Sequence, residues 1–170
     1  MKRIAILLLL CAFLCGCAET VSTEPTSSVI IPESIQITEP EPEATPEVPD
    51  VTYQLYLPNA NADGFDVMTI QATEITADLI LAELQYNGVL PDTVIINSFE
   101  SKGAQLNIDF NRAFADLVCS MGTAGEMMII GSVVNTFLSA FQAESVYITV
   151  DLEILESGHV IYDMPISFIE

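Results

Sequence analysis

From residue 51 onward, the period of the apolar positions changes several times, and each change marks an element. In "VTYQLYL" (51–57), Val51, Tyr53, Leu55 and Leu57 share one face, the period-two signature of a half-buried strand. "DVMTIQATEI" (66–75) predicts a second extended stretch. The spacing then turns helical in "TADLILAELQYNG" (76–88), with Thr76 as N-cap, Ile75 and Ile80 placed as a hydrophobic staple, and Gly88 just past the end. "DTVIINSF" (92–99) and "AQLNIDF" (104–110) predict two strands joined by a hairpin turn at Ser101-Lys102-Gly103. A second helix is marked by Thr123-x-x-Glu126, which has the form of a capping box, and by Ile130, Val133, Val134, Phe137, Leu138 and Phe141 at helical spacing. "SVYITVD" (145–151) predicts a strand, and "HVIYDMPISF" (159–168) an edge element whose pairing Pro165 limits. The order β-α-β-β-α-β predicts an α+β fold, a mixed or antiparallel sheet with two helices packed on one face.

The first fifty residues follow other rules. Lys2 and Arg3 precede eleven apolar residues, Ile4 to Leu14, and small residues follow. This is the layout of a secretory signal peptide. A transmembrane anchor would need ~20 apolar residues, and the run ends before Glu19. Three of the four cysteines lie within residues 11–17. Leu14-Cys15-Gly16-Cys17 resembles a bacterial lipobox, which implies removal of residues 1–16 as signal peptide and lipidation of Cys17 as the new N-terminus. Two acyl chains anchor stably where one is marginal, because each buried methylene contributes about 0.8 kcal/mol. The expected localisation is the extracytoplasmic face of the cell membrane.

Residues 18–50 hold six of the nine prolines and eight acidic residues, with no Lys or Arg. Such a segment has too little apolar surface to bury, so 17–50 is expected to be a lipidated, disordered acidic tether. Its polyproline II reach is about 100 Å. The third segment, 51–170, is the folded domain.

Charge narrows the partners. Twenty-four acidic residues against four basic ones give a net charge of −20. A surface of that sign excludes nucleic acid, whose phosphates require a basic face. It also excludes an electrostatic grip on anionic lipid. The domain has Lys102 and Arg112 as its cations, so self-association through charged surfaces is repulsive at low salt. The isolated domain is therefore expected to be a monomer, its partner a more basic envelope protein or the cell wall.

Candidate chemistry is sparse. A Ser-His-Asp arrangement would have to use His159, with Asp163 or a distant carboxylate orienting it. No GxSxG elbow presents a serine, and His159 reads as a turn residue after Ser157-Gly158. Cys119, in "FADLVCSMG", reads as a buried small hydrophobe. Asn107, Asp109 and Asn111 alternate with Leu106, Ile108 and Phe110 and read as the wet face of a strand. A calcium site would wrap its oxygens in a Gly-kinked loop. Asp151, Glu153, Glu156, His159 and Asp163 cluster in sequence and offer at most a weak cation site. Gly131 reads as a point of close strand approach, and Asn135 as the partner of a local backbone group. No catalytic, metal or cofactor residue is assigned.

"GEMMIIGSVVNTFLSAFQAESVYITVD" (125–151) resembles the GerMN domain of sporulation and germination lipoproteins. The matching residues are Val134, Asn135, Thr136 and Phe137 in the helix, then Val150 and Asp151 at the end of the strand. Upstream, "ILAELQYNGVLPDTVIINSFESKGAQLNIDFNRAFADL" matches the family's helix, turn and paired strands, so the similarity spans residues 52–168. Two departures stand out. Leu152 occupies the place of a glycine, which implies a reshaped turn, and the Gly-Pro turn is opened into Gly88-Val89-Leu90-Pro91. The resemblance implies a fold similar to ring-building modules and a non-catalytic binding or assembly role in sporulation, germination or the cell envelope. The alternatives are a peptidoglycan-acting enzyme using carboxylates, or a lipoprotein binding a cation or small ligand.

Overall fold

A computed structural model describes residues 51–170. The signal peptide expected over 1–16, the lipidation expected at Cys17 and the tether expected over 17–50 lie outside the described residues. Within them the order is β1 (Val51–Pro58), β2 (Phe65–Ala72), α1 (Ala77–Tyr86), β3 (Ile96–Lys102), β4 (Gln105–Phe110), α2 (Arg112–Ser120), α3 (Thr123–Phe141), β5 (Ser145–Val150) and β6 (Glu153–Ile154). The α+β class expected from the periodicity is the one observed. Its layering differs. β1 and β2 form their own antiparallel hairpin, and the other four strands form a second sheet in the order β3-β4-β5-β6.

In that second sheet β3–β4 and β5–β6 are antiparallel, whereas β4 and β5 run parallel in register from Gln105↔Ser145 to Phe110↔Val150. A parallel neighbour requires a long crossover, and α2 and α3 together provide it. α2 is the helix the periodicity missed: "RAFADLVCS" buries Phe114, Ala115 and Val118, too short an apolar series to stand out from the preceding strand. The stretch 159–168 adds isolated bridges, Val146↔Ile166 and Glu156↔Ile161, and no continuous strand.

α3 organises the core. From Met128 to Leu138 every residue is buried, because β1 lies along one side of the helix and α1, α2 and β5 close the others. The helix is long and apolar enough to cross a membrane, with mean hydropathy 1.3, yet 72 % of that window is buried inside this fold. Phe137 and Phe141 of α3 meet Phe99 of β3, with centroids 6.0 and 4.7 Å from it. Ser139 and Thr136 accept the backbone N–H groups of Gln54 (2.9 Å) and Tyr56 (3.0 Å). Helical hydroxyls thus satisfy donors on β1 that no strand pairs with, which blunts that edge.

Local signals hold at α1. The Thr76 hydroxyl accepts the Leu79 N–H at 3.1 Å, and Gly88 follows the helix at φ 75°, where a side chain would be strained. They fail at α3. The N-cap is Gly122, with no side-chain cap bond, so the expected capping box is not made. The reason is competition: Thr123 lies inside the helix, and the Glu126 carboxylate is engaged by hydroxyls of the C-terminal segment.

Candidate functional site

Two buried carboxylates mark the places where this fold departs from an apolar core. The first is Asp109 on β4, expected on the wet face and found only 4 % exposed. Its Oδ1 accepts the Thr149 hydroxyl (2.6 Å) and the Leu152 N–H (2.7 Å), while Oδ2 accepts an N–H of Asn97 (3.0 Å). Asn97 sits at a register shift between Ile96 and Ser98, and such bulges re-aim a side chain. The same amide reaches Phe110 O and Asp151 Oδ1. Burial works to raise the Asp109 pKa, but the bonds from Thr149, Leu152 and Asn97 outweigh it and hold the carboxyl below its ordinary value. The knot ties β3, β4 and β5 to the Asp151-Leu152 turn. Both turn residues have left-handed backbone, φ 50° and 67°, which is the geometry of a two-residue type I′ hairpin. Leu152 therefore adopts a conformation in which glycine would be unstrained.

The second is Glu126 in the first turn of α3, 2 % exposed. Its Oε1 accepts the Ser157 hydroxyl at 2.6 Å and the Tyr162 hydroxyl at 2.7 Å. Its Oε2 has no partner among the described residues. Burial raises the Tyr162 pKa, reinforced by its hydrogen bond to Glu126 and by that group's charge. A cavity of about 250 Å³ adjoins this carboxylate, lined by Thr123, Met127, Ile130, Val160, Tyr162 and Ile169 besides Glu126 itself. Periodicity assigned Glu126 to a helix cap. Its real signal in the sequence was an acidic residue amid an apolar face, with Ser157 and Tyr162 distant along the chain.

The other candidates disperse. Cys119 is exposed, contrary to the buried hydrophobe expected; it lies one turn after Ala115 on α2, its thiol donating to Glu156 O at 3.5 Å. His159 is exposed in a turn, its backbone N–H donating to Ser157 Oγ at 3.1 Å. Asn107 accepts from Gln105 at 2.7 Å, and Asn111 precedes α2, its amide bonded to Ile95 N and Thr93 O. Asp151, Glu153, Glu156, His159 and Asp163 are each exposed, and among the described residues no three His, Cys, Asp or Glu side chains converge as metal ligands. Asn135 is fully buried and serves a remote backbone group rather than a local one: it donates to Ile169 O (2.7 Å) and accepts Ile169 N–H (2.9 Å), pinning the C-terminal segment across α3. At Gly131 an added Cβ would collide with the Phe65 ring of β2, the close strand approach expected there.

Among curated proteins none matches this chain. Two solved structures from Bacillus subtilis do. The tandem GerMN domains of the sporulation protein GerM match at 16 % identity and TM-score 0.50, covering 70 % of this chain and 45 % of that one. This chain thus spans less than half of that tandem protein. The first GerMN domain of the same protein matches at 20 % identity and TM-score 0.48, covering 69 % and 94 %. A family model described as "Germane: Sporulation and spore germination" matches residues 40–155, which include β1 to β5, both buried carboxylates and the Asp151-Leu152 turn. With more than half of its length matched, the chain belongs to the Germane family and carries a GerMN-like domain.

Proposed function

We propose that the protein is a lipoprotein held on the extracytoplasmic face of the cell membrane through Cys17, and that its GerMN-like domain is a non-catalytic binding or assembly module serving sporulation, germination or envelope assembly. The observation that carries the reading is the Leu14-Cys15-Gly16-Cys17 box, upstream of a domain whose family is described by sporulation and spore germination. The acidic, proline-rich stretch between them suits a spacer. The chemistry of the domain supports binding over turnover: Asp109 is engaged by three hydrogen bonds, and among the described residues no side-chain hydrogen bond joins His159 or Cys119 to a base or an orienter. Sixteen carboxylates against Lys102 and Arg112 in residues 51–170 favour a basic partner over self-association.

The test is Cys17→Ala. The variant should remain unprocessed by the lipoprotein peptidase and take up no lipid label. Mature, labelled, membrane-bound Cys17→Ala would overturn the anchor. Peptidoglycan turnover by the wild-type chain, abolished by one Asp or Glu substitution, would overturn the non-catalytic reading.

A further inference from the structure

β2 presents a free edge. Its strand partner is β1, in continuous antiparallel register from Val51↔Ala72 to Pro58↔Phe65. The N–H groups of Gln54 and Tyr56 leave β1 on the far side, toward Ser139 Oγ and Thr136 Oγ1. Backbone groups alternate in direction along an antiparallel strand, so Tyr53, Leu55 and Leu57 bond their register partners Ile70, Met68 and Asp66. The backbone N–H and C=O groups of Val67, Thr69 and Gln71 therefore point outward, where none meets a partner among the described residues. The other sheet edges are blunted by the usual devices: α3 hydroxyls cap β1, β3 has Lys102 and a register shift, and β6 is 2 residues long. β2 has no Lys, no Pro and no shift, and it exposes Val67 (52 %) and Met68 (46 %).

We propose that this edge takes an extended segment of a basic partner protein as a third strand of the β1–β2 sheet. Charge selects that occupant. Asp63 and Asp66 lie exposed at one end of β2 and Glu74 just past the other, and residues 51–101 contain no Lys or Arg. A second copy would bring the same carboxylates and the same shortage of cations, and so meets repulsion rather than complement. Asp66, Met68 and Ile70 share one face of the strand, Val67, Thr69 and Gln71 the other. The fitting segment has Lys or Arg across from Asp66, apolar residues across from Met68 and Ile70, and β-branched or polar ones on the opposite face. Main-chain bonds supply the affinity and the alternating side chains the specificity. The inference deepens the binding reading above, and rests on it, by naming where and in what form a basic partner is held.

The experiment is residue-resolved amide hydrogen exchange on the purified full-length chain, with and without the peptide acetyl-Lys-Thr-Val-Thr-Val-Thr-Lys-amide. Without peptide, the Val67, Thr69 and Gln71 amides should exchange at least about tenfold faster than those of Met68 and Ile70, which β1 protects. Millimolar peptide should slow the outward amides by at least about fivefold. N-methylating its threonines, whose N–H groups would meet β2, should abolish that protection. Exchanging its lysines for glutamates should weaken binding at least about tenfold at low salt. Thr69→Pro removes the central outward donor without touching a backbone bond to β1, and should abolish the protection of Val67 and Gln71 while circular dichroism stays native. Asp66→Asn carries the test should Thr69→Pro fail to fold: it should weaken the lysine-ended peptide by about threefold and leave a serine-ended one unchanged. Outward amides already protected in the chain alone, by self-association or otherwise, would overturn the proposal. So would the absence of protection by the peptide, protection that survives threonine N-methylation or a folded Thr69→Pro, or an unchanged lysine-ended peptide in Asp66→Asn. Amide exchange depends on neither lipid labelling nor peptidoglycan turnover, so failure here and failure of the reading above are told apart.

Discussion

Gly131 lies mid-helix in α3, where Ala would ordinarily be the better residue by roughly 1 kcal/mol. The structure reverses that sign. A Cβ there would lie 3.1 and 3.2 Å from Cε1 and Cε2 of Phe65, with Cζ closer still, and the three nearest atoms all belong to that ring. Any shift of the Phe65 ring away from that methyl disturbs its edge-on contact with Tyr56, 6.3 Å between centroids. Forcing a methyl into such a contact costs about 1–3 kcal/mol. Set against the helical gain, Gly131→Ala should destabilise the protein by about 1 kcal/mol. In a Phe65→Ala background the obstacle is gone, and Gly131→Ala should stabilise by roughly 1 kcal/mol. The coupling between the two sites is then about 2 kcal/mol, well beyond the ~0.5 kcal/mol scatter of independent sites. Urea unfolding of the four proteins, followed by circular dichroism, measures it. The same effect of Gly131→Ala in both backgrounds would refute the packing argument.

Leu152→Gly should stabilise the fold by about 1 kcal/mol, because a left-handed leucine, 80 % exposed, gains little contact to offset its strain; a lower thermal midpoint for the variant would contradict this. Asp109→Asn sets an amide against the Asn97 amide and should destabilise by about 1–3 kcal/mol at neutral pH. Because the folded-state pKa of Asp109 is lowered, its contribution is complete above the unfolded value of about 3.9 and is lost as pH falls through the folded one. The gap between wild type and variant should therefore narrow below about pH 4, and a gap that is constant with pH would argue against ionisation of Asp109. Cys119 should be labelled by a thiol reagent in the native protein as fast as in urea; protection lifted only by unfolding would place it in the core.

Much of this fold was legible because its signals are local. Thr76 caps α1 through its own hydroxyl and Gly88 ends it through its own φ, so neighbours a few residues away suffice to predict both. Alternation in β1 and β5 announces a buried face regardless of what covers it. The charge of −20, which argues against a nucleic-acid partner, is read without any coordinates. The proposed lipobox at Cys17 is likewise a matter of sequence, carried by Leu14-Cys15-Gly16-Cys17.

What the tertiary structure alone decided are the pairings across large separations in the chain. The split into two sheets depends on β1 finding α3 rather than β3, a choice that periodicity does not encode. Asp109 and Cys119 exchanged their expected places because burial depends on what packs against an element: the turn after β5 folds over Asp109, while Cys119 stays exposed with its thiol at the Glu156 carbonyl. Asn135 holds a segment 34 residues away. Glu126 looked like half of a capping box until Ser157 and Tyr162, 31 and 36 residues on, took one of its oxygens and left the other buried without a partner among the described residues. A carboxylate's role is set by the donors that reach it, and those donors are assembled only when the chain folds.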